Sequence, residues 1–261
     1  MLRPSGPADL RGQVALVTGG ARGIGRASAE ALARAGADIA VADLLPTQEA
    51  ERAIRASGRR ALGLRVDVTD AETVGRAVER VVSALGRLDI LVTAAGVVHR
   101  DPLEETSPDT WRRVVEIVLT GTFFSVQAAI PVMRAQGYGK IVTISSISGI
   151  IGGAVSRSAD APDARHGRSG PAYAAAKGGV IALTRWVAKD VGHSGIYVNS
   201  VAPGGVDTEM TRGHAYPVES LPIPRMGQVA DIAEAVLFLA SPASNYVTGQ
   251  VIRVDGGWVM G

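Results

Sequence analysis

The sequence contains no cysteine, which excludes disulfide bonds, thiol nucleophiles and thiolate metal sites. Aromatic residues make up only 4% of the chain, and no pattern among them identifies a substrate. Neither sign of charge dominates, because 27 lysines and arginines are balanced by 25 aspartates and glutamates and the two signs alternate along most segments. Without a cluster of basic residues on one face, the sequence predicts no nucleic-acid partner.

Long uninterrupted apolar runs are also missing. Residues 1–13 are polar and have no apolar core of the kind that a secretory signal needs. The most apolar long segment, 114–133, is interrupted by Glu116 and Gln127, and we interpret it as a buried helix rather than a membrane span. His166 has no partner ligands nearby in the sequence, so no metal site is predicted. We therefore expect a cytoplasmic protein with no membrane partner and no bound metal.

What the chain does contain is a regular alternation of short apolar runs and helical patterns. Hydrophobic residues make up 46% of the 261 residues, enough for a sizeable core. Repeated βα units of this length predict a parallel sheet with right-handed crossovers. We predict one doubly wound α/β domain, residues 1–261, in which helices cover both faces of a seven-stranded parallel sheet. Its strands are predicted at residues 13–18, 38–43, 61–66, 88–93, 140–146, 195–202 and 250–254.

A glycine-rich turn, residues 18–25, separates the first predicted strand from the first helix. Backbone N–H groups at a helix start, together with the helix dipole, favour an anion such as a phosphate. The spacing of Gly19, Gly23 and Gly25 permits a tight turn and a close approach of the backbone to a ligand. A glycine-rich turn alone also fits an ordinary βα loop, and the flanking strand and helix favour the phosphate site.

Asp43 ends the second predicted strand. A carboxylate there can accept hydrogen bonds from the ribose hydroxyls of an adenine dinucleotide and would repel a 2′-phosphate, so it predicts NAD rather than NADP. The alternative is an aspartate that only stabilises a turn or caps a helix. Arg22 favours NADP instead, because a cation in the glycine turn could bind a 2′-phosphate. We give Asp43 more weight because burying like charges together is costly.

Tyr173 and Lys177 are four residues apart in a predicted helix, 172–192, and therefore share one face. A positive charge beside a tyrosine favours the phenolate, so the pair could exchange protons near neutral pH. Such a pair alone also fits an amphipathic helix with a solvated lysine. Ser145 and Ser146 follow the fifth predicted strand, where carboxyl-terminal side chains line the ligand crevice of a parallel sheet.

From about Gln13 onward, the sequence resembles the short-chain dehydrogenase/reductase family, of the 3-oxoacyl-reductase or secondary-alcohol dehydrogenase type. The resemblance implies a Rossmann-type fold and hydride transfer between a nicotinamide and a carbonyl or alcohol carbon. The motifs that carry it are the glycine turn, Asp43, Asp67-Val68, Ala95-Gly96, the set of Ser146, Tyr173 and Lys177, Asn199, Pro203-Gly204 and Thr208.

The resemblance also implies roles for individual residues. Tyr173 would be the general acid–base, and Lys177 would lower its pKa and hold the nicotinamide ribose. Ser146, the second serine of the pair, would position the substrate oxygen. The implied cofactor-binding residues are Gly19, Arg22, Gly23, Ile24, Gly25, Asp43, Leu44, Asp67, Val68, Ala94, Ala95, Gly96, Tyr173, Lys177, Pro203, Gly204, Val206 and Thr208.

Two departures from the family pattern affect single positions. Val118 stands where the family has an active-site asparagine that is thought to hold a water for the lysine, so we expect slower proton exchange with retained hydride chemistry. The usual Asn-Asn-Ala-Gly reads Thr93-Ala94-Ala95-Gly96, which removes amide hydrogen bonds and is expected to weaken cofactor binding.

A third departure is an insertion, residues 152–170. Tyr173 follows Ser146 by 27 positions, about twice the usual family spacing. The insertion is polar and without periodicity, which predicts a loop. We favour a solvated loop whose arginines pair with Asp160 and Asp163, and keep as the alternative a wall over the substrate in which Arg157, Arg165 or Arg168 meets an anion.

The remaining expectations concern the lid, the N-terminus and the assembly. Residues 206–224 occupy the place of the family's substrate lid, and residues 1–12 form an N-terminal extension. In the family, the helix 172–192 and the long helix before it pack against neighbouring subunits. Apolar surface on both, with Leu183, Trp186 and Val187 on the outer face of the first, therefore suggests a homotetramer, although Trp186 also fits a core position.

The predicted function is therefore an NAD(H)-dependent oxidoreductase that interconverts a small or medium secondary alcohol and a ketone. Arg22 suggests an alternative, an NADPH-dependent carbonyl or 3-oxoacyl reductase. Val118 and Ala94 give some support to a non-catalytic, nucleotide-sensing relative. The complete set of Ser146, Tyr173 and Lys177 argues against that last possibility, because a protein that only binds a nucleotide has no use for all three.

Overall fold

The structure is a computed structural model that describes residues 8–158 and 164–260. One large sheet dominates it, and all pairs of neighbouring strands in this sheet are parallel. Its strands are β1 (Val14–Thr18), β2 (Asp38–Asp43), β3 (Ala61–Arg65), β4 (Ile90–Thr93), β5 (Gly139–Ile144), β7 (Ile196–Pro203) and β9 (Val251–Val254). Two further short strands, β6 (Arg157–Ser158) and β8 (His214–Ala215), lie outside it.

The order of the strands in the large sheet is β3-β2-β1-β4-β5-β7-β9. This confirms the predicted seven-stranded parallel sheet. The chain runs outward from β1 in one direction to β3, then returns and runs outward in the other direction from β4. Loops that follow β1 and β4 therefore diverge, and a crevice opens between them at the carboxyl ends of the strands.

Helices cover both faces of the sheet. The packed helices are α1 (Gly23–Arg34), α2 (Gln48–Ala56), α3 (Ala71–Leu85), α4 (Pro108–Val115), α5 (Gly121–Gln136), α7 (Pro171–Val191) and α8 (Val229–Ala240), and α6 (Ser148–Ile151) is a single turn. Apolar residues of α1, α2 and α8 form one core cluster with the sheet. Those of α3, α5 and α7 form a second cluster on the opposite face. Alternate side chains of each strand supply the two clusters, which explains why the strands read as continuous apolar runs.

Local signals fix several element ends. Asp70 accepts hydrogen bonds from the backbone N–H groups of Glu72 and Thr73 and so caps the start of α3. Gly86 ends that helix with φ of 93°, a left-handed conformation that glycine adopts at little cost. Leu10, within the predicted N-terminal extension, is fully buried in the first core cluster. Residues 1–7 of that extension lie outside the described residues.

The segment Pro108–Gln136 is one continuous helical run that, by length and composition alone, could span a membrane. In the fold its buried residues Val126 and Met133 pack in the core with α3. The run contains a π-helical turn, Glu116–Thr120, which the sequence did not reveal. Its hydrogen bonds depend on how the segment packs between α3 and α7, and π turns of this kind often occur at functional sites.

The insertion is more ordered at its ends than predicted. Arg157 pairs with Ala215 and Ser158 pairs with His214, so the short strands β6 and β8 form an antiparallel sheet. An isolated bridge between Val155 and Arg168 closes the base of the insertion. The prediction of a loop without secondary structure was therefore wrong for these residues, because the pairing joins segments far apart in the sequence. Asp160 and Asp163, the expected partners of its arginines, lie outside the described residues.

Two side chains on α7 differ in exposure. Trp186 is 66% exposed and is not a core residue, whereas Val187 is 5% exposed and packs in the second core cluster. The expectation that both lie on the outer face was therefore wrong for Val187. The two neighbours differ because consecutive helical residues point about 100° apart.

Lys140 is a fully buried lysine at the start of the central strand β5. Its Nζ donates to the hydroxyl of Ser244 over 3.1 Å and lies 4.0 Å from the centre of the Tyr197 ring. Burial lowers the pKa of this ammonium from 10.5 to about 8, because the charged form is poorly solvated there. Below pH 8 the folded protein therefore carries the cost of a buried charge.

We predict that Lys140→Met is more stable than the wild type at pH 7, by about 1–2 kcal/mol, because methionine removes the buried charge. In the wild type, the folded protein loses this proton near pH 8 and the unfolded chain only near pH 10.5. Wild-type stability therefore rises relative to the variant across that interval. Urea unfolding at pH 7 and pH 10 tests this, with the exposed Lys189→Met as the control. An advantage of Lys140→Met that does not shrink at pH 10 would contradict it.

Candidate active site

A cavity of about 790 Å³ opens at the carboxyl ends of the strands, where the order of the sheet reverses. The lining comes from the turns after β1, β2, β4, β5 and β7 and from the first turns of α1 and α7. Every residue that the sequence assigned to catalysis or cofactor binding lines this cavity. The parallel pairing of the strands brings these distant segments together at a single edge.

The glycine turn at one end of the cavity is packed so closely that side chains cannot replace two of its glycines. A Cβ atom on Gly19, whose φ is +67°, would lie 2.5 Å from the backbone nitrogen of Ala95. A Cβ atom on Gly25 would lie 2.1 Å from the carbonyl oxygen of Gly19. Helix α1 starts directly behind this turn, with no acidic residue in its first turn and no hydrogen bond from its N-cap side chain. Its N-terminal dipole therefore points at the cavity and favours an anion.

Asp43 lies at the end of β2, on the rim of the same cavity. Its carboxylate accepts hydrogen bonds from the backbone N–H groups of Ala21 and Leu45, each over 3.0 Å. It therefore stabilises the glycine turn, as the alternative interpretation expected. A carboxylate has further lone pairs, so the same group can also accept hydrogen bonds from a ligand.

Arg22 is the other charged residue of the turn, and its guanidinium forms an ion pair with Glu209. Both side chains are more than half exposed and both line the cavity. The pair connects the glycine turn to the 206–224 segment across the mouth of the cavity. Sequence reasoning did not identify Glu209, because nothing local marks a glutamate that pairs over 187 positions.

The turn after β3 lines the cavity through Asp67, Val68 and Thr69. Asp67 accepts hydrogen bonds from both the backbone N–H and the hydroxyl of Thr69, over 2.9 and 2.8 Å. These bonds hold the turn in a fixed conformation. Val68 is buried and packs closely against Gly121. A Cβ atom added to Gly121 would lie 2.7 Å from the side chain of Val68.

The two serines after β5 have different partners. The Ser145 hydroxyl donates to the carbonyl of Val201 over 3.1 Å and accepts from the Ser200 hydroxyl over 2.8 Å, so it ties β5 to β7. The Ser146 hydroxyl accepts a hydrogen bond from the backbone N–H of Ser148 over 3.1 Å, and its interaction with Tyr173 acts to lower the pKa of that phenol. The geometry therefore favours Ser146 as the residue that reaches a substrate oxygen.

Tyr173 and Lys177 project from one face of α7 into the buried part of the cavity. Burial raises the pKa of Tyr173 to about 12, while its hydrogen bond with Ser146 and the charge of Arg100 act in the opposite direction. Burial also lowers the pKa of Lys177 to about 8. Its Nζ donates to the carbonyl of Ile144 over 2.6 Å and lies 5.7 Å from the Tyr173 ring centre.

The sequence predicts that Lys177 lowers the pKa of Tyr173. In this structure burial has the largest effect on that pKa and raises it, against the smaller lowering effects of Ser146 and Arg100. A phenolate in a dry site loses the hydration that stabilises its charge, so the protonated tyrosine is favoured.

The two single-position departures also have distinct surroundings. Val118 is fully buried in the π turn and packs with Ala172, Ala176 and Val180 of α7. The Thr93 hydroxyl is buried and has no hydrogen-bond partner among the described residues. That unpaired group lies at the position where the family pattern has an amide.

The opposite end of the cavity is formed by the insertion, the 206–224 segment and Arg100, of which sequence reasoning did not identify Arg100. Arg100, Ser156 and Tyr216 line it together. Nε of Arg100 donates to the Ser156 hydroxyl over 3.2 Å, and its Nη2 lies 3.3 Å from the Tyr216 hydroxyl. The only available signal for Arg100 was its position soon after strand β4, because its contacts come from the insertion and the 206–224 segment.

Both ends of the insertion are anchored beside Ser146. The Ser169 hydroxyl donates to the Ser148 hydroxyl over 2.9 Å, and the backbone N–H of Ala154 donates to the same oxygen over 3.2 Å. Of the three arginines suggested for an anion, Arg165 instead pairs with Glu104 outside the cavity. The ends of the insertion thus form part of the cavity wall.

The sequence was compared with known families and proteins. Residues 19–259 match a family model described as enoyl-(acyl carrier protein) reductase. The chain belongs to the short-chain dehydrogenase/reductase family. It is therefore an oxidoreductase, and the short-chain dehydrogenases/reductases use a nicotinamide cofactor.

Relatives in the family include enzymes with different names. The chain is 41% identical to cis-4-hydroxycyclohexanecarboxylate dehydrogenase of Sinomonas cyclohexanicum, over 94% of this chain and 96% of that one. It is 36% identical to 3-oxoacyl-[acyl-carrier-protein] reductase of Synechocystis sp., over 96% and 98%. A solved structure from Agrobacterium tumefaciens, provisionally named 2-deoxy-d-gluconate 3-dehydrogenase and containing bound NADP, has a TM-score of 0.83 and 34% identity, with coverage of 97% and 99%.

The shape of the cavity fits a nicotinamide dinucleotide. Gly19 and Gly25 let the turn pack tightly against Ala95 and against itself, and α1 supplies an N-terminal dipole that favours a phosphate at this turn. Among the described residues, no group of three or more histidines, aspartates and glutamates could hold a metal ion.

We predict that Gly25→Ala weakens NADH binding by about tenfold or more, because the new Cβ would push Gly19 out of the cradle. Fluorescence titration with NADH measures the affinity, and thermal unfolding measures stability. Gly75→Ala in α3 is the control, since no atom lies within 4 Å of its new Cβ and its stability should rise slightly. Wild-type affinity in Gly25→Ala would contradict the prediction.

Proposed function

We propose that this enzyme interconverts a secondary alcohol and a ketone with NAD(H), using Ser146, Tyr173 and Lys177 for substrate positioning and proton transfer. The observation that carries the proposal is that Ser146, at the end of β5, lines the same cavity as Tyr173 and Lys177 of α7. Lys177 lies on the same face of α7, one turn further along. Two hydroxyl groups held together in this way can bind one substrate oxygen from two directions.

The proton chemistry follows from the pKa of Tyr173. The nicotinamide, when bound, supplies or accepts the hydride. Because burial raises the pKa of Tyr173 to about 12, the phenol is protonated at neutral pH and can give its proton to the oxygen of a ketone. In the oxidation of an alcohol, Tyr173 must first lose that proton, and a charged Lys177 nearby then stabilises the phenolate.

Ser146 and Lys177 hold the reacting groups in place. The Ser146 hydroxyl accepts a hydrogen bond from the backbone N–H of Ser148, which leaves its own proton available for a substrate oxygen. Lys177 is anchored to the carbonyl of Ile144 through one N–H, which leaves its other N–H groups for the hydroxyls of the nicotinamide ribose.

NAD is the proposed cofactor, because Asp43 lies at the end of β2 on the rim of the cavity. Its carboxylate can accept hydrogen bonds from the adenosine ribose and repels a 2′-phosphate. Arg22, the cation that would attract such a phosphate, is engaged by Glu209. Both features favour NAD over NADP.

An NADPH-dependent carbonyl or 3-oxoacyl reductase is the second candidate. Arg22 lines the cavity and its ion pair with Glu209 is exposed to solvent, so a phosphate could compete for it. A relative named as a 3-oxoacyl reductase and a neighbouring structure with bound NADP make this alternative specific.

The proposed substrate is a small or medium secondary alcohol, and the name of the Sinomonas relative suggests a hydroxyl on a saturated ring. We further propose a cytoplasmic homotetramer that involves no nucleic acid, membrane or metal. Support for the assembly comes from exposed apolar side chains on the long helices, such as Trp186 on α7 and Phe123 on α5. Near the C-terminus, Trp258 packs edge-on against Tyr216, and Met260 is exposed.

We predict that Asp43→Ser raises the ratio of NADP to NAD efficiency by about tenfold or more, because removal of the carboxylate removes repulsion of the 2′-phosphate. Steady-state kinetics with both cofactors measures the ratio. Asp43→Asn separates charge from hydrogen bonding, since it keeps an acceptor for the glycine turn. An unchanged ratio in both variants would show that Asp43 does not determine the cofactor.

We predict that Tyr173→Phe loses turnover by about 100-fold or more, while NADH binding is retained, because the phenol supplies the proton and phenylalanine cannot. The assay is NADH formation from NAD and a panel of secondary alcohols, including cyclohexanol. The matched control is Tyr138→Phe, which changes a tyrosine whose pKa burial also raises to about 12 but which lies outside the cavity. Comparable turnover in Tyr173→Phe and Tyr138→Phe would exclude the proposed role.

A further inference from the structure

Arg100 lies at the end of the cavity opposite the glycine turn. Its hydrogen bonds connect the segment after β4 with the insertion and with the 206–224 segment. Its Nε donates to the hydroxyl of Ser156 in the insertion over 3.2 Å. Its Nη2 donates to the carbonyl of Met210 and to the hydroxyl of Tyr216, each over 3.3 Å. All four residues line the cavity. A single guanidinium therefore sits where the insertion and the 206–224 segment meet.

The charge of Arg100 has no counter-ion within the described part of the chain. Its three hydrogen-bond acceptors are two hydroxyls and a carbonyl, all of them neutral. The nearest acid in the sequence, Asp101, instead pairs with His99 over 2.9 Å. A partly buried guanidinium without an opposite charge is unfavourable unless a ligand supplies that charge.

The guanidinium also has donors to spare. Nη1 of Arg100 forms no hydrogen bond with any described residue, and it lies on the same planar group as Nη2. The two N–H groups of Nη1 therefore remain for a ligand, and hydrogen bonds from a guanidinium to a carboxylate are among the stronger ones in proteins. The hydroxyls of Ser156 and Tyr216 accept from Arg100, so their own protons are free to point at the same anion.

Arg100 lies near Tyr173, the proposed proton donor. Arg100 is close enough to Tyr173 for its charge to favour the phenolate, and Tyr216 also interacts electrostatically with Tyr173. A substrate whose oxygen is held by Ser146 and Tyr173 would thus extend toward Arg100. The exposed side chain of Met210 provides an apolar contact along the way.

We propose that Arg100, assisted by Ser156 and Tyr216, binds a carboxylate on the substrate, so that the preferred substrates are hydroxy acids and oxo acids rather than neutral alcohols. This inference rests on the proposed alcohol and ketone chemistry at Tyr173. Arg100 is a specificity residue in it, not a member of the proton-transfer set. The competing interpretation is that Arg100 only cross-links the segments that form the wall.

Binding of two ring compounds that lack a hydroxyl separates these interpretations. Cyclohexanecarboxylate and cyclohexanecarboxamide have nearly the same shape and differ in charge. Their affinities for the enzyme with saturating NADH are measured by calorimetry in the wild type, Arg100→Gln, Arg100→Lys and Arg212→Gln. Arg212 is the matched control, since it is an exposed arginine of the 206–224 segment that does not line the cavity.

We expect the wild type to bind the carboxylate about tenfold more tightly than the carboxamide, since hydrogen bonds to charged groups are the stronger ones. Arg100→Gln should lose this preference, Arg100→Lys should keep part of it, and Arg212→Gln should keep all of it. If Arg100→Gln does not fold, the preference retained by Arg100→Lys, which keeps the charge, decides the question.

Three results would overturn the inference. One is equal binding of the two compounds to the wild type. Another is an equal loss of affinity for both in the Arg100 variants, as a mere cross-link predicts. The third is the same loss of preference in Arg212→Gln, which would indicate a general positive potential. Wild-type oxidation of cyclohexanol and of 4-hydroxycyclohexanecarboxylate, assayed separately, tests the proposed function. Oxidation of neither would contradict that function, whatever the binding experiment shows.

Discussion

In the parallel sheet, β1 lies between β2 and β4, and the chain leaves this position in both directions. Every loop that follows a strand therefore emerges at the same edge, and the loops after β1 and β4 separate there. The close packing of Gly25 on the carbonyl of Gly19 is possible only because the turn after β1 carries no side chains at these two points. The dinucleotide cradle, the rim aspartate and the buried proton-transfer set all depend on this arrangement.

The chemistry of the site depends on burial. The same dry environment that raises the pKa of Tyr173 lowers the pKa of Lys177, so each group is shifted toward its neutral form. A neutral phenol is suited to donate a proton, and reduction of a ketone needs that donation. In the proposed mechanism, oxidation needs the phenolate, which costs more in this environment and requires the nearby positive charges of Lys177 and Arg100. The proposed direction of proton transfer is thus sensitive to small changes in the charges around Tyr173.

The substrate side of the cavity is built differently from the cofactor side. The cofactor side uses turns that directly follow strands of the sheet, which rigid pairing holds in place. The substrate side uses the insertion and the 206–224 segment, which the short β6–β8 pairing and the contacts of Arg100 hold together. Substrate preference can therefore change through these two segments while the sheet and the cradle stay constant.

The amino-acid sequence by itself determined the seven strands, the helices on both faces and the residues of the cradle. These features follow from local patterns: apolar runs for β1 and β2, Asp70 and Gly86 at the ends of α3, and glycines where no Cβ fits. Helical periodicity placed Tyr173 and Lys177 on one face, and the end of the fifth strand placed Ser145 or Ser146 at the ligand crevice. The resemblance to the family selected Ser146 and grouped it with the other two. All of them line the cavity.

Only the tertiary structure decided the π turn at Val118, the buried position of Val187 and the pairing of β6 with β8. It also revealed the ion pair of Arg22 with Glu209 and the group formed by Arg100, Ser156 and Tyr216. Each of these depends on contacts between residues far apart in the chain, for which no local pattern exists. The pKa of Tyr173 also depends on the tertiary structure, because only the fold decides how deeply the phenol is buried. The sequence predicted that Lys177 would lower this pKa, whereas desolvation in the folded site raises it.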